Sequence, residues 1–303
     1  MSQSTAASKW PSVTFSEMPP ETEVTERVLD LHTFVNLLNV TAGVLSWAGG
    51  RQPTPAVKAL MERITEATSA FLESDGTSVE ALIERPEFRN ALVSLKHEWS
   101  QSGKTAELAA ILTEILTLFD GRLRGYQEFK RQPGARDSYR SEELRAVLLR
   151  FFRATSVYSG GRFQVVESAV EPSDGSHHVE FDFDAGESGV FTLPPVALDC
   201  LYDLVANARK YSPSGGQMRI EVRQQSGGVC LAVQDQGMGI PEEELRRVVR
   251  FGYRARNAGA IATMGGGFGL TKALSVAVRY GGHLQIASRL LEGTRVELFL
   301  PHS

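Results

Sequence analysis

The chain has 303 residues, 42% of them apolar, and a formal charge of −4 from 32 basic against 36 acidic side chains. That length and balance fit two globular domains and exclude a fibrous or wholly disordered protein, and the absence of a basic block argues against a nucleic-acid partner. No apolar run reaches the length of a membrane span and the N-terminus lacks a signal-peptide pattern, so no membrane segment and a cytoplasmic location are expected. Cys200 and Cys230 fall in a predicted helix and a predicted strand, a setting for buried free thiols rather than a disulfide or metal site.

In chain order, residues 1–20 are rich in Ser, Thr and Pro and are expected to be loose. Beyond them Val24, Val28, Leu31, Val35, Leu38, Ala42 and Leu45 alternate at spacings of four and three up to Gly49-Gly50, the seam of a helical bundle or coiled coil. Phe34, Leu37, Val44 and Ala48 form a second stripe, so this helix has more than one neighbour. His32 stands beside the seam with Asn36 one turn on; by spacing alone, such a histidine is more often solvated or structural than catalytic. Residues 51–102 read as further helices interrupted near Pro86, either a thickening of the bundle or a sensing or docking element. From residue 105 a second long helix carries Leu108, Leu112, Ile115, Phe119, Tyr126 and Phe129 at seam spacing, weakened by Gly121 and Gly125, and would pair antiparallel with the first. At 132–139, with Pro133 and Gly134, the periodicity breaks, which places a domain boundary there.

The second half alternates between strand and helix patterns. A helix is predicted over 141–155, strands over 162–170 and 178–183 with a hairpin-like connection, and a helix in which Leu198, Leu201, Val205 and Ala208 recur every three or four residues. Strands over 217–223 and 229–234, joined at Gly227-Gly228, and a closing pair over 283–288 and 294–300 complete one mixed sheet with helices on one face. Three motifs lie within this half. Asp203, Asn207 and Lys210 share a helix face in D-L-V-A-N-A-R-K-Y-S at 203–212. D-Q-G-M-G-I at 235–240 closes a strand and precedes a Pro-led acidic helix start. G-G-G-F-G-L at 265–270 opens an apolar helix, a ready site for phosphate. Singly, each is most simply a turn, a flexible loop or a solvated face; their order changes the weighing.

Helix with Asn, two strands, Asp-x-Gly-x-Gly, an intervening stretch, then Gly-x-Gly-x-Gly and a helix resembles the Bergerat ATP-binding fold. That superfamily joins sensor histidine kinases, gyrase-type topoisomerases, a chaperone family and mismatch-repair ATPases. The stretch D-L-H-T-F-V-N-L-L-N-V is similar to the phosphoacceptor helix of histidine kinases, in the branch whose motif reads His-Arg-x-x-Asn. The resemblance implies an α+β chain: a flexible N-terminus at 1–20, an antiparallel helical dimerisation and phosphoacceptor domain at 21–131 with the insertion 51–102, a linker at 132–139, and a Bergerat α/β sandwich at 140–303. It implies that Asp235 accepts a hydrogen bond from the adenine amine, that Gly237 and Gly239 leave room for the ring, and that Asn207 coordinates Mg²⁺. Lys210, Tyr211, Leu270 and the amides after Gly265, Gly267 and Gly269 would hold ATP, under a lid at 251–264 anchored by Phe251 and Tyr253. Asp203 would either bind the metal or activate water as a general base. His32 would take the γ-phosphoryl of ATP and pass it to an aspartate of a response-regulator receiver domain, and Asn36 would position water for dephosphorylating that partner, in a homodimer. Thr33 stands where many members carry an acid, which leaves open a phosphotransfer or scaffold protein; Asp203 leaves open an ATP-hydrolysing switch.

Overall fold

A computed structural model describes residues 9–19, 135–158, 164–167, 176–259 and 267–302, with single positions at 62, 117, 121, 122, 124, 125, 127 and 129. The chain divides into two compact units, one made of Met1–Val24, Arg124–Leu149 and Gln164–Ser303, the other of Thr25–Leu123 and Arg150–Phe163. His32, Asn36, the seam over 24–45, the insertion 51–102 apart from position 62, and Gly265 lie outside the described residues, and so does most of the expected helical bundle.

The first unit is built on a seven-stranded mixed sheet. Its strands are β1 (Ser12–Phe15), β3 (Val165–Glu167), β4 (His177–Asp184), β6 (Gln217–Gln225), β7 (Gly228–Asp235), β8 (His283–Arg289) and β9 (Gly293–Pro301), in the order β1-β8-β9-β7-β6-β4-β3. A separate ribbon pairs β2 (Asp137–Arg140) with β5 (Val190–Leu193). The described helices are α1 (Ser141–Tyr158), α2 (Pro195–Tyr211) and α3 (Gly269–Arg279).

The sequence explains the local choices. Pro195 supplies the fixed φ that a first helical turn tolerates, and Pro194 before it is extended, so α2 starts sharply. Leu198, Leu201, Val205 and Ala208 are buried as their spacing requires, with α2 lying across β6 and β7 and against α3. The parallel pair β4 and β6 is linked through α2, the crossover that brings a helix onto one sheet face. Every residue of β7 is buried, as befits the strand flanked by β6 and β9 in mid-sheet. Alternation in β6 sends Met218, Ile220 and Val222 inward; on the other face Glu221 is held by Arg295, at 2.6 Å, and by Arg223.

Five expectations are corrected. Residues 12–15, expected to be loose, form an edge strand on β8, because a sheet edge offers backbone groups to any extended segment. Residues 137–139, expected within a linker, are part of β2, and Arg136 donates to Pro301 O at 2.6 Å. The connection between β3 and β4 is not a hairpin, for the two strands run parallel, Val165 beside His177. The acidic stretch after Pro241 makes only a single 3₁₀ turn, Glu242–Glu244, before further turns. Phe129, placed at a bundle seam by its spacing, is instead buried with its ring 6.2 Å from that of Tyr280 and under the Arg279 guanidinium. Gly125 of the same segment lies against the Pro195 backbone, where a Cβ would come within 3.2 Å.

Candidate nucleotide-binding site

The three motifs meet around α2. At its C-terminus, Tyr211 O accepts the Met238 amide at 3.0 Å, which fastens the 235–240 loop to the helix end. A Cβ at Gly237 would lie 2.5 Å from Tyr211 O, and one at Gly239 would lie 2.1 Å from Arg289 O, with Gly239 at a φ of 66°. The expectation that these glycines leave room for a ring is thus refined: the protein's own backbone already demands both. One turn back along α2, Gly269 at the start of α3 abuts Asn207 and Asp203, its Cβ position 3.4 Å from Asn207 Nδ2 and from Asp203 Cβ.

Asp235 ends β7 with its side chain buried. Oδ1 accepts the amides of Gly237 at 2.8 Å and of Thr294 at 3.2 Å. Burial pushes the carboxyl up to about 7 although both amide donors favour the charged form. A carboxylate in this setting accepts a hydrogen bond from an amine, and a carbonyl in the amine's place offers it nothing.

The opposite end of the site is cationic in its backbone. Phe268 stands at the N-cap of α3 and gives its first amides no side-chain cap, and such a helix start favours an anion. Gly267 has a φ of 76° and packs on the first residues of the expected lid, where a Cβ would meet Tyr253 O at 2.8 Å. In the described part of that stretch the Tyr253 hydroxyl donates to Glu244 Oε2 at 2.8 Å, and Phe251 stacks on Phe268 with ring centroids 4.7 Å apart. Lys210 lies over the Tyr211 ring at 4.8 Å, and Leu270 occupies the first turn of α3.

The structure adds residues that the motifs do not contain. Lys272 of α3 is buried, and its Nζ donates to Asp203 Oδ2 at 2.8 Å and to Asp199 Oδ2. Asp203 is therefore the partner of a buried ammonium, and this ion pair ties the helix of the Asn motif to the helix of the Gly motif. The signal was present in the sequence as two acids one turn apart on an apolar helix and a lysine inside another, three charges that cannot be buried without each other. Thr294, as the second donor to Asp235, carries no sequence signal because only its backbone acts.

Residues 195–303 match the family model for the histidine kinase-, DNA gyrase B- and HSP90-like ATPases. Among curated proteins, the sensor-like histidine kinase SenX3 of Mycobacterium tuberculosis is 36% identical over 101 residues, covering 33% of this chain and 25% of its own length. The histidine protein kinase DivJ of Caulobacter vibrioides is 36% identical over 99 residues, covering 33% of this chain and 16% of its own. The chain thus spans about a quarter or less of these relatives. A solved mycobacterial sensor histidine kinase, MprB, superposes with a TM-score of 0.33 at 26% identity, covering 41% of this chain and 81% of the other. The motifs brought together on α2 lie in the same segment as the family match, so residues 195–303 carry a domain similar to the histidine kinase-, DNA gyrase B- and HSP90-like ATPases.

Proposed function

We propose that the chain is a protein-histidine kinase that transfers the γ-phosphoryl of Mg-ATP to His32 and then to an aspartate of a response-regulator receiver domain, with Asn36 supporting dephosphorylation of that partner. The observation that carries the ATP end is the seating of the uncapped α3 N-terminus against Asn207, on the same helix that fastens the buried Asp235 loop. Adenine lies at Asp235 in this reading, and the phosphates lie at Gly267, Gly269 and Leu270, with Lys210 and Tyr211 on the α2 side. Asn207 fits Mg²⁺ through its amide oxygen, since Mg²⁺ takes few protein ligands beside phosphate oxygens and water. When bound, the ion supplies charge neutralisation of the phosphates and orients the transferred group. Asp203 serves as an anchor for Lys272 rather than as a water-activating base, which disfavours the ATP-hydrolysing alternative. A cytoplasmic homodimer is part of the proposal; the seam pattern over 24–45 supports the dimer.

The test is incubation of the full chain with γ-labelled ATP. Acid-labile label that disappears in His32→Gln, with ATP binding unchanged, is the expected outcome. No label with a receiver domain present, but acceptance of phosphate back from a phosphorylated receiver, would make the chain a phosphotransfer protein instead.

A further inference from the structure

The segment before the helical region is fastened to the ATPase domain at the place that holds Asp235. β1 pairs antiparallel with β8 from Ser12 beside Ala287 to Phe15 beside Leu284, and the pairing extends through Ser288 N to Pro11 O at 3.0 Å. Trp10 is buried against Ala287, and its indole N–H donates to Glu292 Oε2 at 3.0 Å. Arg289 binds both Glu292, at 3.3 Å, and the Lys9 carbonyl, at 3.2 Å. Trp10 and Lys9 therefore grip the β8–β9 turn from one side.

The same turn grips the Asp235 loop from the other side. Leu291 N donates to Met238 O at 2.9 Å, and Ile240 N donates to Ser288 Oγ at 2.8 Å. Ser288 Oγ in turn donates to Gly293 O at 2.7 Å, and Thr294 N donates to Asp235 Oδ1. The turn is a tight one, with Leu291 at a φ of 62° and Gly293 placed where a Cβ would lie 2.0 Å from Asp235 O. A non-glycine residue in the left-handed region needs its surroundings to hold it there. Trp10 supplies part of that hold through Glu292, which stands just before the Thr294 amide that orients Asp235.

We propose that Trp10 is a positioning residue for nucleotide recognition: by fixing the β8–β9 turn through Glu292, it sets the Thr294 amide and hence the orientation of the Asp235 carboxylate toward the adenine amine. The proposal rests on the reading of Asp235 as the adenine acceptor. It makes Lys9–Phe15 part of the wall of the site, although more than 200 residues of chain separate it from the turn it holds. It predicts that loss of the indole hydrogen bond relaxes discrimination between purines, and Phe in place of Trp tests this by removing the donor while keeping a ring against Ala287.

The experiment compares ADP with inosine diphosphate, which has a carbonyl where ADP has the amine, on the full chain by calorimetry in the presence of Mg²⁺. Trp10→Phe and Glu292→Ala are each expected to weaken ADP by about threefold to tenfold and to leave inosine diphosphate nearly unaffected. The two changes together should weaken ADP no more than Glu292→Ala alone, because Trp10 acts through Glu292. Glu292 is half exposed, so its variant reports on the contact even if the Trp10 variant folds poorly. Asp235→Asn is the control. If it leaves ADP affinity and discrimination intact, the adenine reading falls and the Trp10 proposal with it. If it lowers both while Trp10→Phe and Glu292→Ala bind ADP like the wild type, the adenine reading stands and the role of Trp10 is overturned. Equal weakening of both nucleotides by Trp10→Phe overturns it too, since that is the pattern of a merely structural contact.

Discussion

Asp235 joins two properties that pull on the same proton. Burial favours its neutral form, raising it from an ordinary carboxyl to about 7, whereas acceptance from an amine requires the charged form. Affinity for ADP is therefore expected to rise as pH goes from about 6 to about 8, with proton release on binding, visible as calorimetric heats that change with the buffer's ionisation enthalpy. The stability of the unliganded domain moves the other way. With the folded carboxyl raised, the native state holds a proton that the unfolded chain has lost, so this group's contribution is full below the unfolded value of 3.8 and is lost as pH rises toward 7. The slope in that window is about 1.4 kcal/mol per pH unit, and Asp235→Asn should remove it from a series of thermal melts. Lys272 offers a second test at this scale. Lys272→Met leaves Asp199 and Asp203 facing each other without their cation, at a cost of about 3–5 kcal/mol, readable by urea denaturation; adding Asp199→Asn and Asp203→Asn should recover most of it. The shared face of Asp203 and Asn207 was legible because one turn of helix fixes it. The bond from Lys272 to Asp203 was not read, because it joins positions 69 apart and a lysine taken by itself reads as solvated.

At the scale of elements, legibility followed length and burial. α2, β6, β7, β8 and β9 announce themselves by runs of apolar residues at one period, since each buries a face along its whole length. β1 did not. Its four residues at one edge of the sheet carry no periodic run, and their pairing is written in a partner strand distant in sequence. The glycines show the same divide. That 235–240 is a turn was legible; that Gly239 yields to the Arg289 carbonyl depends on a turn 50 residues on. Gly239→Ala should cost about 1–2 kcal/mol from its left-handed backbone alone, and more because the Arg289 carbonyl must move. ADP affinity should fall with it. Gly215→Ala is the matching control: its φ is 78° with open space around it, so it should cost about as much backbone strain and leave ADP binding intact, as calorimetry beside urea denaturation would show.

At the scale of the whole chain, the unit that carries the site is assembled from three stretches of sequence, and its boundary differs from the one that composition suggests. The break in periodicity at 132–139 points to a domain starting near residue 140, but the compact unit begins at Arg124. Between those positions lie Phe129, buried with Tyr280 and Arg279, Arg136 on the Pro301 carbonyl and over the Tyr280 ring, and the Asp137 carboxylate, which pairs with Arg124. A sequence pattern shows where a helix period stops, not which body the side chains before it pack against. Two fragments separate the boundaries. One starting at residue 140 keeps all three nucleotide motifs but cuts β2 and strips Phe129 from its pocket, and loss of a buried aromatic alone costs about 3–5 kcal/mol. One starting at Arg124 keeps these contacts. The longer fragment should melt well above the shorter in thermal denaturation, both should bind Mg-ADP when folded, and Phe129→Ala in the longer should close much of the gap. Equal melting temperatures would return the domain boundary to residue 140.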